Sequence, residues 1–244
     1  MKKENFEFKK EYVSAVKTIC NIQSTLIFTK KENNVSLLGN NEGVTIAFTL
    51  NAPEKYFNFQ AKEIAILDFN RFSQFYNSVN EPILSIESDD TNPKNIIISS
   101  ESGLTNIRQR LAEPSIIEKP EFEDISFIAD AGTLQLSKEE LSNINKMIGM
   151  ISGDKNTVKI NIANKTATII VYNDRTSDRF EQTYSLDNEI DQEISYEFQC
   201  EDFIKIPNAA YKISFNIEDK SARFSQIRED EIELNIYIAE SFEA

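Results

Sequence analysis

"FEFKKEYVSAVKTIC" (Phe6–Cys20) and "LQLSKEELSNINKMIG" (Leu134–Gly149) are two versions of one pattern. Each opens with three residues alternating apolar, polar, apolar, as a half-buried strand does. Each then passes through a Lys-Lys-Glu or Lys-Glu opening into a run whose apolar residues recur three and four apart, as on one face of a helix. A chain of 244 residues that repeats this strand-to-helix unit is predicted to be duplicated. The length suits two units of ordinary size, each large enough to hold a core.

Working outward from the first copy, Phe6–Phe8 reads as a short strand and Lys9 to about Ile22 as a helix. Tyr12, Val13, Val16, Ile19 and Cys20 share its apolar face, and Lys10, Ser14, Lys17 and Asn21 share the opposite one. "TLIFTKK", "NVSLLGN" and "GVTIAFTL" follow as short strands divided by Asn-rich and Gly-containing turns. "KYFNFQA" and "EIAIL" lead into a second helix from Asp68, its N-cap, to about Asn80, with Phe69, Phe72, Tyr76 and Val79 inward and Pro82 just past its end. "ILSIES", "NIIISS" and "LTNIRQRLAE" close the unit as strands.

The second copy keeps the order. Ser137 with Glu140 three residues on is a capping box, and Leu141, Ile144, Ile148 and Ile151 face inward behind it. Lys138, Ser142, Asn145 and Lys146 point the other way. "TVKINIA", "TATIIVYN" and "RFEQTYSL" are strands, "ISYEFQ" leads to a short helix around Glu201–Ile206 cut by Pro207, and "YKISFNIE", "ARFSQIR" and "IELNIYIAE" end the chain. Few helices and many locally connected strands predict an α+β fold with antiparallel sheets and helices segregated to one face.

Composition narrows the function. The net charge of -14 argues against general nucleic-acid stickiness, so any DNA contact is a local basic face on an acidic body. Histidine, the commonest general base and metal ligand, does not occur, and the six glycines form no phosphate loop. The acidic runs at Glu87–Asp90 and Arg228–Glu231 lack EF-hand spacing and read as solvated turns, so no metal or other cofactor is expected. Cys20 and Cys200 form no CxxC pair and read as reduced, buried and intracellular. The start MKKENFEF has no apolar stretch behind its lysines, and no run is long enough to cross a bilayer, so neither a signal peptide nor a membrane association is expected.

The order of elements, together with "LLGNNEGVTIAFTL", "AILDFNRFSQFYNSVNEPILSIE" and "AAYKISFNIEDKSARFSQIREDEIELNIYIAES", resembles a DNA sliding clamp of the proliferating-cell-nuclear-antigen and tailed-phage type. The resemblance covers nearly the whole chain. It implies an N-terminal clamp domain at 1–112, an interdomain connector at 113–132 and a C-terminal clamp domain at 133–244. It implies a homotrimer whose six domains form a ring, with antiparallel sheets outside and helices lining the hole. The function implied is a non-enzymatic processivity factor that encircles duplex DNA without reading its sequence, partners an ATP-driven clamp loader and tethers a replicative polymerase. The place implied is the site of replication inside the cell, or the host cytoplasm if the chain is viral. The second unit departs from the family in its short second helix, and both units carry few cations on the helix faces.

Carried over residue by residue, the resemblance makes Lys10, Lys17, Arg71, Lys138, Lys146 and Lys205 the DNA-facing set. Gly43 and Val44 of the early hairpin, Ile116, Ile117 and Phe122 of the connector, and Tyr237, Ile238 and Ala239 at the end become the partner surface. The subunit contact joins "TNIRQRL", with Ile107, Arg108, Arg110 and Leu111, to "DRFEQTYSL" of the next copy, with Phe180, Glu181 and Tyr184; Arg108 and Arg110 are expected to meet Glu181. Two other classes compete: a scaffold or virion component that reuses the fold without encircling DNA, and a metal-dependent hydrolase, which the lack of histidine and of ligand spacing disfavours.

Overall fold

The computed structural model describes residues 2–89, 92–120, 125–151 and 156–240. Packing divides the chain into two compact units. The first comprises Met1–Gly39, Thr49–Glu123 and Asp230–Leu234; the second comprises Asn40–Phe48, Asp124–Glu229 and Asn235–Ala244.

The chain begins with β1 (Lys2–Phe8), α1 (Lys10–Ile19), β2 (Leu26–Lys31), β3 (Asn34–Asn40) and β4 (Ile46–Pro53); these belong to the first unit except for Asn40–Phe48, the end of β3, the turn and the start of β4, which count with the second. A single 3-10 turn at Glu54–Tyr56 leads to β5 (Phe57–Asn58) and β6 (Glu63–Ile66), then α2 (Phe69–Ser78), β7 (Ile83–Asp89), β8 (Asn92–Ser99) and β9 (Asn106–Arg110). One sheet runs β5-β1-β7-β8-β9; the strands β4-β3-β2-β6 lie side by side in another. The core is aromatic. Phe8 stacks on Phe57 at 4.1 Å and on Phe72 at 5.4 Å, and meets Tyr12 of α1 and Phe69 of α2 at 5.5 and 5.9 Å. Both helices therefore pack on the face of β1 that carries Phe6 and Phe8, and aromatic pairs of this kind add to the burial energy. Tyr76 reaches back to donate its hydroxyl to the Phe8 carbonyl at 2.9 Å.

The second unit holds β10 (Thr133–Leu136), α3 (Lys138–Met150), β11 (Thr157–Tyr172), β12 (Arg179–Gln199), α4 (Cys200–Phe203), β13 (Tyr211–Asn216), β14 (Ser221–Gln226) and, from Asn235 on, β15 (Glu233–Ala239). Their order in the sheet is β11-β12-β10-β13-β14-β15. The expected four strands between Thr157 and Gln199 are joined into two long ones. Their ladder still falls into two stretches, 157–162 against 194–199 and 166–172 against 179–185, with irregular register around Asn164. Asn164 takes φ +53°, as Glu32 does at the turn between β2 and β3, φ +52°.

The helices form where the sequence places them. Ser137 caps α3 with a complete capping box, and Leu141, Ile144 and Ile148 are buried. Asp68 caps α2, accepting from the Arg71 amide at 3.0 Å. α4 stops at Phe203, sooner than the expected Ile206, because Ile204 and Lys205 already close a turn on Cys200 and Asp202. β1 begins four residues before the expected Phe6; its outer half pairs with β7 although Lys2–Asn5 shows no apolar alternation. Gly132 sits at φ +84°, where any side chain is strained, and a Cβ would lie 2.8 Å from Ile190 Cδ1, so a larger residue must also displace Ile190. Cys20 and Cys200 are buried free thiols, and burial pushes each up to about 12.

Candidate functional site

The apolar stripe of each long helix decides which side chains its other face offers. On α1, burial of Tyr12, Val13, Ala15, Val16 and Ile19 leaves Lys10, Ser14 and Lys17 exposed. On α2, burial of Phe69, Phe72, Ser73 and Tyr76 leaves Arg71 and Gln74 exposed, with the Arg71 guanidinium 5.3 Å from the Phe75 ring. On α3, Lys138, Asn143 and Lys146 are exposed. None of Lys10, Lys17, Arg71, Lys138 and Lys146 makes an ion pair among the described residues. Lys205 differs. It lies two residues past α4, and its ammonium is held 2.8 Å from the buried Asp202 carboxylate.

The strand edges expected to join copies are both open on one flank among the described residues. β9 pairs with β8 alone, Asn106 to Arg110 against Ser99 to Asn95. Arg179 to Ser185 pair with β11, while β10 meets β12 only at Leu186. The charges on these edges are arranged otherwise than the sequence suggests. Glu87 is no solvated turn residue: it lies within β7, 8% exposed, accepting from Arg108 Nη2 at 2.9 Å and from Asn95 Nδ2 at 3.1 Å. Glu181 is taken by Arg179 of its own strand at 2.8 Å. The expected match of Arg108 to Glu181 thus begins from two charges already engaged within the chain, and Arg110 is the edge cation without an ion pair among the described residues. Ile107 and Phe180 are half-buried, whereas Leu111 and Tyr184 are turned into the core. Burial pushes the Tyr184 phenol up to about 12, helped by the Glu140 carboxylate.

The residues expected to receive a partner separate into three groups. Ile116 (73% exposed) and the half-buried Ile117 belong to the first unit, and Phe122 lies outside the described residues. Val44 and Ala239 are brought together in the second unit, where the Ala239 amide donates to the Thr45 carbonyl at 2.9 Å. Ile238 is a correction: strand alternation turns it into the core at 1% exposure, while Tyr237 and Ala239 stay on the accessible face. Gly43 has room for a Cβ, which would meet Asn41 and Thr45 at an ordinary 3.9 Å, and it has an ordinary φ; the left-handed residue of the turn is Val44, φ +53°.

Sequence reading missed two residues here. Phe127 lies over β14 and β15, its ring 5.9 Å from Tyr237 and 4.9 Å from the Arg223 guanidinium. An aromatic in an otherwise acidic stretch was the available signal. Asp202 was missed because nothing local marks one acid in "CEDF" as buried. No group of three or more His, Cys, Asp or Glu side chains poised for a metal occurs among the described residues, and none of their helices is long and apolar enough to cross a membrane.

The proliferating cellular nuclear antigen of Entamoeba histolytica superimposes with a TM-score of 0.76, covering 98% of this chain and 99% of that one at 14% identity. The fold is that of a sliding clamp. The A. fulgidus antigen bound to the C-terminal region of FEN-1 matches at 0.73 over the whole of both chains, and the Thermococcus kodakaraensis antigen matches at 0.73 over 98% of this chain, each at 14% identity. No family model and no curated protein matches the sequence. The clamp fold spans the whole chain, and identity this low makes the likeness one of fold.

Proposed function

We propose that the chain is a DNA sliding clamp, a processivity factor that closes as a homotrimeric ring around duplex DNA and tethers a replicative polymerase. The observation that carries this reading is a clamp fold over 98–100% of the chain. In this reading 1–112 and 133–244 are the two clamp domains and 113–132 is the connector. Lys10, Lys17, Arg71, Lys138 and Lys146 face the DNA, touching phosphates weakly and without reading bases, as a body that must slide requires. Copies join by adding β9 of one to the Arg179–Ser185 stretch of the next, which removes both open edges. Val44, Ile116, Ile117, Tyr237 and Ala239 receive peptides of the polymerase and of an ATP-driven loader. The chain performs no chemical step of its own, and it works where DNA is replicated inside the cell, in the host cytoplasm if it is viral.

The test is topological. Light scattering gives the particle mass, and the protein is then loaded on nicked circular DNA, which is linearised in half of the sample. Three chain masses together with retention on the circle and loss from the linear form support the proposal. A trimer that binds neither form supports a scaffold or virion component, and a monomer that binds neither rejects the ring.

A further inference from the structure

We infer that Asp202 is a positioning residue for the partner surface, holding the Asn41–Ile46 turn so that Val44 stands outward in a conformation its own backbone disfavours. The inference rests on the docking reading above. It starts from an anomaly: Val44 is β-branched, takes φ +53° and is 58% exposed. The left-handed region is unfavourable for any L-residue and more so for one branched at Cβ. Gly43 stands immediately before it with an ordinary φ and nothing closer than 3.9 Å to a Cβ. The strain therefore falls on the residue least suited to it, and no core burial compensates it.

Such a conformation persists only where its surroundings over-determine it, and here they do. Asn41 brackets the turn: its amide donates to the Ile46 carbonyl at 3.0 Å, its carbonyl accepts from the Val44 amide at 3.0 Å, and its Oδ1 accepts from the Ile46 amide at 3.1 Å. Asn41 Nδ2 donates to Thr45 Oγ1 at 2.9 Å, and Thr45 Oγ1 donates in turn to Asp202 Oδ2 at 2.6 Å. Asp202 Oδ1 accepts from Asn41 Nδ2 at 3.3 Å and from Lys205 Nζ at 2.8 Å. The Ala239 amide fixes the Thr45 carbonyl. All these residues belong to the second unit. A carboxylate 8% exposed is tolerated because three donors meet it. Two of the three, Thr45 and Asn41, are the residues that hold the turn.

The consequence is a population effect. Without the carboxylate, Thr45 and Asn41 lose their anchor and Val44 relaxes toward an ordinary φ. A ligand that needs the outward valine then binds a fractionally populated state, and its apparent affinity falls by that fraction.

The experiment compares the full-length parent with Asp202→Ala, Asp202→Asn, Thr45→Val, Val44→Ala and Tyr237→Ala. The probe is a fluorescein-labelled peptide isolated from a displayed random library on the intact parent protein. Backbone amide exchange at Val44 and Ile46 reports the turn independently of binding. Asp202→Ala and Thr45→Val are expected to speed that exchange and weaken the peptide about tenfold, as a competent fraction of about one tenth requires. Asp202→Asn, which keeps an oxygen for Thr45, is expected to recover most of both. Parental affinity in Asp202→Ala and Thr45→Val, or weakened binding with unchanged exchange, overturns the positioning role while leaving the docking surface in place. If Val44→Ala and Tyr237→Ala both bind as the parent does, or no peptide is recovered, the docking reading fails and the positioning role falls with it.

Discussion

The Glu87–Arg108 pair sets how the edge strand β9 should respond to mutation. Glu87 has a side chain 11% exposed, and Arg108, 59% exposed, supplies one of its two donors at 2.9 Å. A hydrogen bond to a charged group contributes about 1.5–3 kcal/mol, and the solvent around the guanidinium places this one near the lower end. Arg108→Ala should therefore cost β9 about 1.5 kcal/mol, close to a tenfold rise in its local opening. Arg108→Glu should cost more, since a second carboxylate then approaches a buried one. Arg110→Glu touches no ion pair among the described residues and should leave the strand's opening unchanged. The reporter is the Leu111 amide, which donates to the Lys94 carbonyl at 2.8 Å just beyond the strand. Its hydrogen exchange is to be followed in the three variants at matched particle mass. Equal exchange in Arg108→Ala and the parent refutes the structural role of the bridge. The same variants separate folding from assembly: Arg110→Glu is expected to lower the trimer fraction in light scattering with Leu111 unperturbed, and an unchanged mass would reject β9 as the joining edge.

Further outcomes follow from single features. Asp68→Ala removes the cap of α2 and should lower stability by about 1 kcal/mol in urea titration, with Asp68→Ser restoring most of it. Gly132→Ala combines φ +84° with a 2.8 Å clash against Ile190 and should destabilise the second unit by more than the ~1 kcal/mol at which a tolerated glycine replacement would be favourable; a neutral midpoint would show that Ile190 yields. Cys20 and Cys200, with thiols raised from 9.0 to about 12 by burial, favour the folded state while protonated. Their contribution is complete below the ordinary thiol value and is lost as pH climbs from about 9 toward 12, and neither should react with a thiol reagent at pH 8 before unfolding. Lys17→Glu with Lys146→Glu should reduce loading and processive synthesis and flatten the log affinity against log salt line by ~0.9 for each phosphate the lysines no longer neutralise; parental synthesis across a salt series would reject these faces as a DNA lining.

How much of this was legible in the sequence depends on whether a residue's role is local. The capping box of Ser137 and Glu140 and the cap at Asp68 act within three residues, so the sequence displays them whole. The stripes of α1 and α3 are periodic and equally plain. β1 shows the limit: Phe6 and Phe8 face the core and alternate visibly, but the residues before them contribute backbone pairing to β7, which leaves no trace in side-chain polarity. Glu87 and Asp202 show a second limit. Each is an acid among other acids in sequence, and each buried carboxylate is completed by a distant donor, Arg108 from 21 and Thr45 from 157 residues away. Val44 shows a third, since a neighbouring glycine misdirects any reading that assigns left-handed turns by residue type.

The same distinction bears on how a chain of net charge -14 would work on DNA. Long-range repulsion acts on the whole particle and is screened beyond about 8 Å at physiological salt. What a duplex inside a ring would feel is then the local face, and the faces of α1, α2 and α3 combine cations that make no ion pair among the described residues with Ser14, Gln74 and Asn143. Neutral amides and hydroxyls hydrogen-bond phosphates or their waters with little counterion release, so they hold DNA without fixing it in one register. Lys205 contributes least to such a face, because its ammonium serves the Asp202 carboxylate. Replacing Lys205 should therefore disturb the Asn41–Ile46 turn and leave the salt dependence of DNA binding alone, whereas Lys146 should do the reverse. Opposite responses at two lysines of one unit are what a division between a partner-holding network and a DNA-facing helix requires.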